Sequence, residues 1–217
     1  MYNITIIYSA HLECENCNPS ELCKIIEKIN PEIIFEEIQY DSFDAYYKEK
    51  STYTLETDAI NMYLQYHTIE HIPVDTYDFS NVSKEKIDFM YRKISQNNSE
   101  YDPLFKQHLL MTFQNGFSYL NSDRCNDLLE KIHIIEEDTL QRLNDNELFH
   151  LYNLWIETTN NRENEIIKNI YNYSKEHCYN NAILIIGAEH KNSINKKIQE
   201  YKINEEILLN WKSWHIA

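Results

Sequence analysis

Two glycines, Gly116 and Gly187, are all that this chain of 217 residues contains, and that shortage limits its fold more than any motif does. Short strands joined by tight hairpins rely on glycine at the corners, where the backbone turns left-handed. With two glycines and four prolines the chain is poorly equipped for a barrel or sandwich of many short strands, so helices are expected to dominate. The two glycines lie 71 positions apart, which also removes the glycine-rich loops that cradle phosphates. Enzymes built on such nucleotide loops are disfavoured.

Four short apolar runs rich in β-branched residues read as buried strands: Ile4 to Tyr8, Glu32 to Phe35, Ile72 to Val74 and Ala182 to Ile186. Between the first two, Leu22, Ile25, Ile26 and Ile29 repeat at helical spacing, and Ser20 is placed to cap the start. Leu55, Ala59, Met62 and Tyr66 form a second stripe before the third run. After the fourth run, Ser193 can cap a helix carrying Ile194, Ile198 and Tyr201. Strands spaced by amphipathic helices predict an α/β fold with a mainly parallel sheet flanked by helices. From about Phe79 to Asp145 the alternation stops, and successive helical stripes predict a helical insertion within one domain spanning residues 1–217. A long helix is then expected from about Glu147 to His177, its stripe interrupted by Thr159 and Arg162. The terminal Trp211 to His215 segment is suited to covering a sheet edge or an oligomer contact.

Hydrophobic residues make up 42% and charged residues 25% of the chain, an ordinary globular balance that argues against disorder. The formal net charge of −15 repels nucleic acid and anionic membranes, and no basic run offsets it. No stretch reaches the ~18 apolar residues of a membrane span. Met1-Tyr2-Asn3-Ile4 enters an apolar run without a basic leader, so a cytoplasmic protein is expected. Five cysteines, an odd number, suit free thiols or a metal or redox site better than a disulfide framework.

In open α/β sheets ligands bind beyond the carboxyl ends of the strands. Each run here ends at ionisable residues: His11 after the first, Glu36 and Glu37 after the second, Asp75 after the third, and Glu189 and His190 after the fourth. Converging there, two imidazoles and several carboxylates would either ligate a divalent metal such as Zn, Mn, Co or Fe, or act as general acid and base. Arg162, turned inward by its helix, would need an anion such as Glu37, Asp75 or a substrate oxyanion, or else would reach a neighbouring carboxylate such as Glu163 or Glu165.

These positions carry a resemblance. Ser9-Ala10-His11, Pro31 through Ile38, Ile72-Pro73-Val74-Asp75, Asn161-Arg162-Glu163 and Gly187-Ala188-Glu189-His190 resemble, in order and placement, the motifs of the TraB/TIKI, ChaN and erythromycin-esterase-like superfamily. By that resemblance Glu37 rather than Glu36 takes the functional place. It implies metal-dependent peptide cleavage in one branch, ester hydrolysis in another and haem-iron binding in a third, so it does not fix a substrate.

The expectation is therefore a hydrolase of peptide or ester bonds acting on a small molecule or peptide. Glu37 would be the general base, and His11 and His190 metal ligands or proton carriers. Asp75 and Glu189 would orient them or complete a metal shell, and Arg162 would neutralise an oxyanion. A non-catalytic module binding haem, iron or a small ligand is the alternative. A thiol redox protein using Cys14 and Cys17 ranks lower, because Asn18-Pro19-Ser20 starts the helix after both thiols and leaves them without its dipole.

Overall fold

A computed structural model describes residues 2–76, 83–204 and 207–215, without the side chains of 203 and 204. The first half lays down β1 (Tyr2–Ser9), α1 (Pro19–Ile29), β2 (Ile33–Gln39), α2 (Phe43–Tyr47), α3 (Leu55–Leu64) and β3 (Glu70–Asp75). Four helices follow in succession: α4 (Lys84–Asn97), α5 (Tyr101–Leu120), α6 (Asp123–Leu143) and α7 (Asn146–Glu176). The chain closes with β4 (Asn181–Gly187), α8 (Lys191–Asn204) and β5 (Leu209–Ser213). The start of the expected insertion, Phe79 to Val82, lies outside the described residues; from α4 to α7 the described chain is helical, as its stripes predict.

The five strands form one parallel sheet in the order β3-β2-β4-β1-β5. All four expected runs lie in it, except that β2 begins at Ile33, one residue after Glu32. Residues 4–9 of β1 and 182–187 of β4 are buried without alternation, as a parallel sheet covered on both faces requires. The fifth strand is the terminal segment, paired with β1 along the edge, and the Trp214 N–H donates to the Ile6 carbonyl at 2.8 Å.

Side-chain caps start five of the helices, α1, α3, α4, α6 and α7. The α1 cap is Asn18, which accepts from the Glu21 N–H, with Pro19 in the first turn; Ser20 lies inside the helix instead. Thr54 and Thr57 form a capping box on α3, and Ser83, Ser122 and Asp145 cap α4, α6 and α7. Ser193 caps nothing: α8 runs on from a short 3-10 turn at Ala188–His190 and already begins at Lys191.

Two contacts fasten the helical segment to the sheet. Asn121 bridges the backbone of Tyr8 as a neighbouring strand would, its Oδ1 accepting from the Tyr8 N–H at 2.9 Å and its Nδ2 donating to the Tyr8 carbonyl at 3.0 Å. At Gly116 the α5 backbone kinks through a positive φ of 52°, and a Cβ there would stand 1.8 Å from the Asn16 carbonyl oxygen. Asn16 in turn donates to the carbonyls of Phe113 and Gln114. One of the chain's two glycines thus lets the loop after β1 lie against the kink.

Candidate functional site

Glu36 and Glu37 leave β2 in different directions. Glu36 turns to His71, 2.6 Å away, and accepts from the Tyr47 hydroxyl. Between Glu36 and Gln39 the β2–β3 register shifts, with Glu36 opposite Pro73 and Gln39 opposite Asp75. This irregularity accompanies the turn of Glu37 into the crevice at the strand ends.

There the Glu37 carboxylate, with 7% of its side chain exposed, sits among four donors. Its Oε1 lies 3.0 Å from Arg162 and 3.2 Å from His190 Nε2; its Oε2 accepts from the Gly187 N–H at 2.8 Å and lies 3.2 Å from His11 Nε2. Arg162 also grips Asp75 with two bonds, of 3.2 and 2.7 Å. The bidentate fork suits guanidinium and carboxylate geometry. Thus Glu37, His11, Asp75, Arg162 and His190, up to 179 positions apart in sequence, meet at one place.

Two carboxylates that were not among the expected site residues complete the set: Glu163, the last residue of the Asn161-Arg162-Glu163 motif, and Glu56, which no motif includes. Glu163, 1% exposed, meets His190 Nδ1 at 2.6 Å, accepts from the Ser193 hydroxyl and pairs with Lys197 at 3.1 Å. Glu56, in the first turn of α3, lies 3.2 Å from His11 Nδ1 and accepts from the His11 N–H and the Ser9 hydroxyl. Among the described residues its second oxygen is buried without a hydrogen-bond partner. His11 holds a positive φ of 56°, a conformation a non-glycine residue keeps only when its surroundings enforce it. Glu189 follows a different course. It is exposed and lines the same crevice, but all four ring nitrogens of His11 and His190 already face Glu37, Glu56 or Glu163.

The electrostatics follow from these pairings. Burial pushes Glu37 upward, but the hydrogen bonds and charges of His11 and His190 outweigh it and hold the carboxyl well below its usual range. Glu56 and Glu163 are likewise lowered, as His11 and His190 respectively overcome the effect of burial. Burial alone would discharge the imidazoles. Their carboxylate partners instead raise His11 to about 11 and His190 to about 9. The cluster is therefore ionised throughout at neutral pH, with carboxylates balanced by two imidazoliums, Arg162 and Lys197.

Such an arrangement does not fit a divalent metal. The imidazole nitrogens point at carboxylates, both Asp75 oxygens are taken by Arg162, and that guanidinium stands where it would repel a cation. Among the described residues no group of three or more His, Cys, Asp or Glu side chains is arranged to hold a metal ion.

Above the cluster opens a cavity of about 910 Å³. Its floor includes His11, Glu37, Arg162 and His190; its walls, from α4 to α7, include Tyr91, Phe105, Leu109, Glu136, Trp155 and Ile156. The His11 side chain is 45% exposed, whereas that of His190 is 11% exposed. His11 is thus the more open of the two imidazoles.

Of the thiols, Cys14 lines the same cavity. Cys14 and Cys17 close a tight turn by exchanging backbone hydrogen bonds of 2.8 and 2.9 Å, and α1 starts beyond both. Burial pushes the Cys17 thiol up to about 12, and all five cysteines are unbridged. No described helix is long and apolar enough to cross a membrane. The chain matches no protein-family model, no curated protein and no solved structure.

Proposed function

We propose that this protein is a hydrolase of ester or peptide bonds that works by metal-free acid–base chemistry. The observation that carries the proposal is the convergence of His11 and His190, each 3.2 Å from the one carboxylate of Glu37, at the floor of a cavity large enough for a small molecule or peptide segment. In the proposed reaction a water molecule attacks the scissile carbonyl and Glu37 takes its proton. The His11 imidazolium, facing the cavity, delivers a proton to the leaving atom. The proton gained by Glu37 then returns to the neutral His11 ring across their contact, restoring the starting state. His190, oriented by Glu163, and Arg162, tied to Asp75, hold Glu37 in place. Unbridged cysteines and the net charge of −15 support a cytoplasmic protein acting on a small molecule or peptide rather than nucleic acid.

The test is a screen of chromogenic esters and peptides with and without a chelator, comparing the native protein with Glu37→Gln. Turnover should survive the chelator and fall by about 10²–10⁴ in the variant, the range acid–base groups supply. Full activity of Glu37→Gln, or turnover abolished by the chelator, would overturn the reading. Saturable ligand binding without turnover of any substrate would favour a non-catalytic binding module in its place.

A further inference from the structure

The floor of the cavity balances its own charges; the wall facing it does not. On α6, Glu136 lines the cavity while only 4% exposed, and its one hydrogen bond comes from the Tyr101 hydroxyl at 3.2 Å. Among the described residues no Lys, Arg or His pairs with it. Glu189 faces the same space, and its charge adds to burial in raising Glu136 to about 8. Tyr91 of α4, Tyr101 of α5 and Tyr152 of α7 surround Glu136 closely enough for its charge to raise all three phenols, on top of the effect of their own burial. A buried carboxylate without a counter-ion is unfavourable, which favours its protonated form.

We propose that this wall binds the protonated amine of a ligand, with Glu136 as its counter-ion, Glu189 at the open side and the Tyr91 ring beside it. An ammonium supplies the charge that Glu136 lacks and donates to its oxygens, and aromatic rings favour a cation over a neutral group. A ligand carboxylate is repelled there, and a hydroxyl leaves the charge uncompensated. The net charge of −15 draws cations toward the mouth. Phe105, Leu109, Phe113 and Ile156 give the wall apolar surface beside His108, Thr112 and His133, so the amine belongs to a ligand with an apolar body. That the ligand's far end carries the bond cut at His11 rests on the hydrolase reading; the amine site does not.

Calorimetry at a fixed pH of about 7 with 4-phenylbutylamine and its neutral counterpart 4-phenylbutanol tests the site without requiring turnover. The amine should bind about tenfold more tightly than the alcohol to the native protein, and Glu136→Gln should remove that advantage while leaving the alcohol's affinity unchanged. Glu189→Gln, at an exposed position and therefore safe for folding, should weaken the amine about threefold. His11→Ala should leave amine binding intact, so a failed hydrolase reading is distinguishable from a failed amine site. Equal affinity for the two probes, no binding of the amine, or an amine affinity unchanged in both Glu variants would overturn the proposal.

Discussion

Gly187 and His11 touch across the β1–β4 pair: a Cβ on Gly187 would stand 2.7 Å from His11 Nε2 and 3.5 Å from His190 Cδ2. Backbone strain is not the reason for glycine here, because a φ of −58° and ψ of 142° suit any residue. Space is. Gly187→Ala should fold normally but displace the His11 ring from Glu37, lowering turnover by about 10²-fold, as misplacement by an ångström can. Thermal melting and kcat measured together check this; unchanged kcat would contradict the packing argument.

Removing Glu163 should be felt in stability as well as activity. Its carboxylate meets His190, Ser193 and Lys197, and the Lys197 side chain is only 11% exposed. Glu163→Ala leaves that ammonium without its anion and the His190 imidazolium with Glu37 alone, a loss of about 3 kcal/mol in denaturant unfolding. Glu163→Gln keeps the shape and one accepting oxygen and should lose less.

Stability should fall as the solution turns alkaline. His190 titrates near 9 in the folded protein against 6.5 ordinarily, so its contribution is complete below 6.5 and disappears as pH rises toward 9. Glu136 titrates near 8 against 4.5, and the folded state keeps a proton that the unfolded chain releases, which lowers stability from 4.5 up to 8. Glu37, Glu56 and Glu163 have lowered values, so their contribution is lost on the acid side, below 4.5. His11 moves in the same direction as His190 but is half-exposed, and water screens its contribution. The melting temperature should therefore peak near about pH 5–6 and decline toward pH 9. Glu136→Gln should flatten the alkaline limb.

Replacing Cys14 and Cys17 together by Ser should leave fold and turnover in place. Placing a hydroxyl at the fully buried Cys17 costs about 1 kcal/mol, and no step of the proposed chemistry uses either thiol. Loss of turnover in a double variant that still folds would return the thiols to consideration.

The sheet was legible where both faces of a strand are covered, because Ile4 to Tyr8 and Ala182 to Ile186 are apolar at nearly every position. β5 was not: an edge strand exposes alternate side chains, and in Leu209–Ser213 only Leu209 is buried. His11, Asp75, Arg162 and His190 were visible as polar residues at strand ends or interrupting an apolar stripe. Periodicity alone does not separate Glu36 from Glu37, since neighbours on a strand face opposite ways and the register shift bears on their directions. Glu56 reads as a favourable acid in a helix's first turn, which hides its inward direction. Glu163 carried one signal, its place beside Arg162. Of the alternative partners for Arg162, the structure takes Glu37 and Asp75 and not the neighbouring Glu163, which turns to His190.

That divergence has a consequence for how the molecule tolerates change. α7 runs 31 residues, on the order of 45 Å, and carries Trp155 in the cavity wall and the Arg162–Glu163 pair at its floor on one continuous rod. Inserting a single residue between them would rotate one end by about 100° against the other, and no repacking of side chains restores both settings. The α5–α6 turn is fixed as well, because its Asn121 bridges the Tyr8 backbone. The α6–α7 turn, ahead of the Asp145 cap, is therefore a place where the chain can lengthen, whereas α7 admits exchanges of residue and no change of length.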